Sequence, residues 1–172
     1  GDISKGDVFI DSYTPVSGGN IDTGLLEFMY IFEKLPFATE AKMSRADMMN
    51  GSKILWSGER KSSGLANTLF YFPLPYLPQA LAMLMGEVTG LSVSHSYYLA
   101  RFISLVAAFG LLWLAFAVYP TPLIILALFT TPMTLFQMGS ASLDAVAFAL
   151  TALAAALYTR AVDRSYEFSH LM

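Results

Sequence analysis

Residues 120–159 read PTPLIILALFTTPMTLFQMG (120–139), SASLD (140–144) and AVAFALTALAAALYT (145–159). A short polar segment ending in a carboxylate sits between two very apolar stretches. Asp144 is the only acidic residue between Glu87 and Asp163. Apolar runs of this length, separated by turn residues, predict helices that cross a membrane. SASLD then marks the place where the chain turns at one face of the bilayer.

The composition outward from this stretch agrees. The 172-residue chain is 55% hydrophobic and 13% charged. Ordinary soluble domains are about 45–50% apolar and about 25% charged. The charges are also segregated: from Ser62 to Thr159 only Glu87, Arg101 and Asp144 are charged. Such a segment cannot supply the charged surface of a soluble protein, so the membrane class follows. A net charge of −3 and the lack of a basic patch exclude nucleic acid as a partner. There are no cysteines, hence no disulfides and no thiolate metal site. No cofactor is implied, and no divalent-metal constellation is visible.

The fold expectation is all-α and integral to the membrane. An extracytoplasmic segment with amphipathic helices occupies residues 1–69. It contains a few β-prone pieces such as Val8-Phe9-Ile10, and Asp22 is read as the N-cap of an amphipathic helix ended by Pro36. Ser44 and Asp47 form a capping box for a second helix, and residues 59–68 read as a polar linker. Residues 70–91 form a short interfacial or re-entrant helix, entered through the aromatic, proline-rich run FYFPLPYLPQ (70–79). Three transmembrane helices follow within 92–164, at about 94–119, 121–138 and 143–162, with Pro132 expected to kink the second. Residues 165–172 form a cytoplasmic loop or tail. The polar start at Gly1 predicts that the chain is a piece of a longer protein, with its remaining spans as partners alongside membrane lipid.

Arg160 and Arg164 at the end of the third span favour the cytoplasmic side. SASLD, Arg101 and the polar N-terminal segment then share the outer face. A charge inside a bilayer costs at least about 2.5–3.5 kcal/mol, so such residues face partners or a wet cavity. Arg101 and Asp144 have opposite signs and similar depth. Two readings stay open. They pair with each other, or Asp144 caps its helix while Arg101 reaches outward, with Ser140 or Ser142 as plain caps. Alternatively, both line an outward-facing polar cavity where Arg101 offers its planar fork to a phosphate.

The same residues carry a family resemblance. NTLFYFPLPYLPQ (67–79), the Leu-Ala-Arg of 99–101 and PMTLFQMGSASLD (132–144) resemble bacterial multi-span membrane proteins of domain-of-unknown-function family 2142. The matching positions include Asn67, Tyr76, Gln79, Arg101, Gln137, Ser140, Ser142 and Asp144. The resemblance implies kinship with GT-C-type glycosyltransferases, which take a sugar from a polyprenyl-phosphate donor at the outer face of a bacterial inner (plasma) membrane. It further implies substrate-binding roles. Arg101 would neutralise the departing phosphate, with Asp144 orienting it or touching the sugar. Gln137, Tyr76 and Asn67 would hydrogen-bond sugar or phosphate. The family's acidic motif, Pro-Asp-Glu followed by His, is absent, so the catalytic base is expected upstream of Gly1 and none is assigned here.

Two function classes follow. One is part of a membrane glycosyltransferase acting on a cell-envelope glycan or lipid acceptor. The other is a non-catalytic transporter or scaffold of envelope polysaccharide assembly, although no internal repeat of the transporter kind is visible.

Overall fold

The computed structural model describes residues 7–11, 14–33, 35, 38, 40, 42–64, 72–120 and 123–170. The chain divides into two compact units, Gly1–Leu74 with Ala82–Leu99, and Pro75–Leu81 with Ala100–Met172.

The first unit corrects the all-α expectation, because it holds a three-stranded antiparallel sheet. Strands β1 (Asp7–Asp11) and β2 (Thr14–Asp22) pair with Asp11 opposite Thr14, and β3 (Arg60–Gly64) pairs with β2 from Gly18↔Gly64 to Asp22↔Arg60. The supposed polar linker is thus partly an edge strand. Its sequence, RKSSG, lacks the apolar alternation that announces a strand. An edge strand needs little of it, because its backbone finds partners in β2 while its side chains stay largely in solvent.

Strand β2 runs straight into helix α1 (Thr23–Phe32), and Asp22 makes the junction. Its carboxylate accepts from Gly24 N–H at 2.8 Å, Leu25 N–H at 3.4 Å, Ser57 N–H at 3.1 Å, Ser57 Oγ at 3.0 Å and Gly58 N–H at 2.8 Å. The expected N-cap is therefore also the tie that holds the Ser57–Gly58 turn. Burial alone would raise the Asp22 pKa, but the Ser57, Gly24 and Gly58 hydrogen bonds together outweigh it. The carboxyl lies below its ordinary value of 3.8.

Helix α2 (Arg45–Lys53) starts at Ser44, whose hydroxyl accepts from Asp47 N–H at 3.0 Å. Gly51 of α2 lies against Phe28 of α1: a Cβ there would be 3.2 Å from the ring. Phe28 also meets Phe32 edge-on at 5.2 Å and Tyr97 at 6.2 Å. Beyond α2 the chain is extended, with Val93 N–H donating to the Ile54 carbonyl at 2.9 Å and Trp56 Nε1 donating to Ser96 Oγ at 3.0 Å.

A 3₁₀ turn (Leu74–Tyr76) leads into α3 (Leu77–Val88). At about 18 Å, α3 is too short to span a bilayer. It ends in a Schellman motif: Leu91 N–H bonds the Gly86 carbonyl at 2.9 Å, Gly90 N–H bonds the Glu87 carbonyl at 3.2 Å, and Gly90 has φ 73°. Helix α4 (Val93–Val118) follows at once. It passes so near α3 that a Cβ on Gly86 would sit 2.5 Å from Ser96 Cβ.

In the second unit, α4 from Ala100 onward and α7 (Asp144–His170) are the long elements. Among the described residues they supply the two helices long and apolar enough to cross a membrane, Val93–Val118 and Asp144–Asp163. Helix α7 starts near the expected position and stays helical to His170, into the segment read as a tail. The expected span over 121–138 is divided into α5 (Leu123–Phe129) and α6 (Pro132–Met138). Each is about 10 Å long, a third of a ~30 Å core. Pro132 breaks the helix rather than kinking it. It occupies the first turn of α6, where its missing N–H costs nothing, and Thr131 before it is extended (ψ 144°). The carbonyls freed at the end of α5 are taken locally. Thr130 Oγ1 donates to Ala127 at 2.8 Å, and Thr131 and Thr134 donate to Leu128 at 3.0 and 3.1 Å.

The core of this unit is Ala108 and Leu112 of α4, Met138 of α6, and Ala145 and Ala149 of α7. Alanines let helix backbones approach closely. Phe129 bridges Phe116 at 6.2 Å and Phe148 at 5.8 Å, both edge-to-face. Arg160 Nη1 donates to the Val118 carbonyl at 3.4 Å. Helices α4 and α7 therefore run in the same direction, and α5 with α6 brings the chain back. The outward faces carry Phe102, Phe109, Trp113 and Tyr158, all exposed. Such faces suit lipid rather than water.

Candidate functional site

The loop between α6 and α7, residues 139–143, is built by its own hydroxyls and by two side chains from other helices. Helix α6 ends at Gly139, whose N–H bonds the Leu135 carbonyl at 3.0 Å. Ser140 Oγ donates to the Gln137 carbonyl at 2.7 Å and pairs with Ser142 Oγ at 2.7 Å. Of the two serines read as plain caps, Ser140 closes the end of α6, because the last carbonyls of that short helix are near it.

Arg101 of α4 donates from Nε to the Gly139 carbonyl at 2.7 Å. Among the described residues no ion pair joins Arg101 to Asp144, so the direct pair, one of the alternatives left open by the sequence, is absent. The physical reason is local. The carbonyl end of α6 carries partial negative charge and lies within reach, and it takes the guanidinium first. The bond uses one of five N–H donors, and neither Nη group has a protein acceptor among the described residues.

Asp144 opens α7 and lines a hollow of about 320 Å³ with Gln137, Met133, Met138 and Phe148. Its side chain sits at the N-terminal end of that helix. Neither the Asp144 carboxylate nor the Gln137 carboxamide has a hydrogen-bond partner among the described residues. The hollow offers one anionic acceptor, one amide with both donor and acceptor, and apolar walls with an aromatic face. That set suits hydroxyl groups carried on a partly apolar ring.

Of the other expected residues, Tyr76 ends the 3₁₀ turn before α3, half-buried and already engaged in an interaction. It does not line the hollow. Asn67 lies outside the described residues. Arg101 grips the loop next to the hollow without lining it.

One residue was quoted in the sequence motif without a role. Gln79 of α3 is buried and donates from Nε2 to the Ser142 carbonyl at 2.8 Å, while its Oε1 has no partner. Gln79 and Arg101 hold the 139–142 loop from two different helices. The available signal was its position, the one amide in an otherwise apolar QALAMLMG run (79–86). Ser104 Oγ, one turn beyond Arg101 on α4, is also buried without a partner.

A family model described as predicted membrane protein (DUF2142) matches residues 49–170. No curated protein and no solved structure matches the chain.

Proposed function

The chain belongs to the predicted membrane protein family DUF2142, and from that premise we propose that it is part of a membrane glycosyltransferase. In this reading a sugar moves from a polyprenyl-phosphate donor to a cell-envelope glycan or lipid acceptor at the outer face of a bacterial inner membrane. The observation that carries the reading is the hollow where Asp144 and Gln137 converge with unpartnered polar atoms, beside a loop gripped by an arginine with free Nη donors. Asp144 and Gln137 take the sugar hydroxyls. The Arg101 Nη groups neutralise the charge that builds on the lipid phosphate as the glycosidic bond to it breaks. Gln79 is a positioning residue, acting through the Ser142 carbonyl. The base that accepts the acceptor's proton is not assigned to this chain.

The test is sugar transfer from a labelled lipid-linked donor by the full-length protein in membranes. Arg101→Ala should lower turnover by about 10²-fold or more, as for removal of one transition-state charge partner. Arg101→Lys should recover part of it. Wild-type turnover in Arg101→Ala removes Arg101 from the mechanism.

A second reading is a non-catalytic transporter or scaffold of envelope polysaccharide assembly. The bond from Arg101 Nε to the Gly139 carbonyl favours it, since a purely structural arginine makes such a contact. Under this reading Arg101→Ala lowers thermal stability and leaves no transfer activity to lose.

A further inference from the structure

The first unit carries a second hollow, of about 440 Å³, walled by α1 and α2 and floored by the extended segment after α2. This size falls within the range of about 300–1,000 Å³ typical of small-molecule sites. Thr23 and Glu27 come from α1, Asn50 and Lys53 from α2, and Ser57 from the far end of the floor. We propose that this groove is a binding site for a neutral, hydroxyl-rich ligand of the carbohydrate class.

Three observations carry the proposal. First, the groove is charge-balanced but internally unpaired: among the described residues no ion pair or hydrogen bond joins Glu27 to Lys53. A carboxylate that accepts, an ammonium that donates and a carboxamide that does both therefore face one space. Vicinal hydroxyls match that mixture, since each can donate and accept, and zero net charge disfavours an ion. Second, the floor is rigid. The buried Asp22 carboxylate fixes Ser57 and Gly58, Thr23 Oγ1 donates to Ser57 Oγ at 2.7 Å, and Ile54 is tied to Val93 N–H. A preformed floor lowers the ordering cost of binding. Third, Gly24 keeps the α1 wall tight against this floor. A Cβ there would collide with the Leu55 carbonyl, so the residue that lets α1 close onto the segment is a glycine.

The inference does not rest on the transferase reading, because it concerns different residues in a different unit. The test uses the full chain in lipid nanodiscs, with ligand-observed saturation-transfer NMR. The probes are the methyl glycosides of glucose, galactose, mannose, rhamnose and N-acetylglucosamine, with phosphoethanolamine as a zwitterionic comparator. At least one glycoside should bind saturably. Glu27→Gln and Lys53→Met should each raise its Kd tenfold or more, with unchanged unfolding temperature because both side chains are exposed. Asp144→Asn should leave that Kd unaltered. The proposal is overturned if no glycoside binds, if both groove substitutions leave the Kd unchanged, if Asp144→Asn abolishes the binding, or if phosphoethanolamine binds more tightly than every sugar. Failure here leaves the Arg101 transfer assay untouched, and failure of that assay leaves the groove in place.

Discussion

Arg101 donates to the carbonyl oxygen of Gly139 at 2.7 Å and does not pair with Asp144. Two opposite charges at the same end of the second unit thus hold separate positions, the cation on the loop and the anion in the hollow. A double-mutant cycle with Arg101→Met and Asp144→Asn should give a coupling energy below about 0.5 kcal/mol, as for groups that do not share an interaction. Arg101→Met alone should cost about 1.5–3 kcal/mol through the lost charge-assisted hydrogen bond. Unfolding of the four proteins in one detergent reads both numbers, and a coupling above about 1 kcal/mol contradicts the separation.

Gln79 is both a tie and a source of strain in hydrogen bonding, because one atom of its amide is satisfied and the other is not. Gln79→Leu should therefore be mild, costing about 1 kcal/mol, as the lost bond to Ser142 is offset by removal of an orphaned acceptor. Gln79→Glu should be worse by at least about 2 kcal/mol, since it sets an acceptor against the Ser142 carbonyl in a buried place. Amide exchange at residues 140–143 should quicken in both.

At Asp22 the folded-state pKa is depressed, so its contribution is present above the ordinary value of 3.8 and is lost as pH falls through the lower folded value. The first unit should lose stability on acidification below about pH 4. Trp56, bonded to Ser96 in the same unit, is the natural fluorescence reporter. Asp22→Asn should lower stability at pH 7 by about 1–2 kcal/mol and flatten the acid dependence. An unchanged acid transition in Asp22→Asn assigns the titration elsewhere.

The close passage of α3 and α4 at Gly86 predicts a size-dependent defect. Gly86→Ala should destabilise by about 1–3 kcal/mol, because the new methyl meets the Ser96 side chain and lies 3.1 Å from its Cα. Adding Ser96→Gly should restore part of the loss despite forfeiting the bond to Trp56. Thermal unfolding of both variants decides the matter, and additive losses contradict the packing.

Much of this was legible from residue order, for identifiable reasons. Asp22 and Ser44 were readable as caps because capping depends on a single side chain next to a periodic run. Helices α4 and α7 were readable because uninterrupted apolar length is a one-dimensional property. The break at Thr130–Thr131 was half visible. Pro132 marks the place, but whether a proline bends or divides a helix depends on whether nearby hydroxyls satisfy the opened carbonyls, as Thr130, Thr131 and Thr134 do. Strand β3 was missed because an edge strand of Arg, Lys and Ser takes its order from a partner forty residues upstream. At the site, residue order singles out Asp144 and Gln137 through the family resemblance, and the two line one hollow. It could not say that the Gly139 carbonyl would outcompete Asp144 for Arg101, since that acceptor belongs to the backbone and leaves no mark in the residue types.

The return limb formed by α5 and α6 has little slack. From Arg101 to Val118, helix α4 climbs roughly 26 Å at 1.5 Å per residue. The sixteen positions from Leu123 to Met138 must descend a similar height while also accommodating an interruption. Removing one residue from the lower piece would rotate Gln137 by about 100° and shorten the descent by about 1.5 Å. The limb thus behaves as a ruler: its length sets where along α4 the Gly139 carbonyl meets Arg101, and insertions or deletions there should be tolerated far less than changes of side chain.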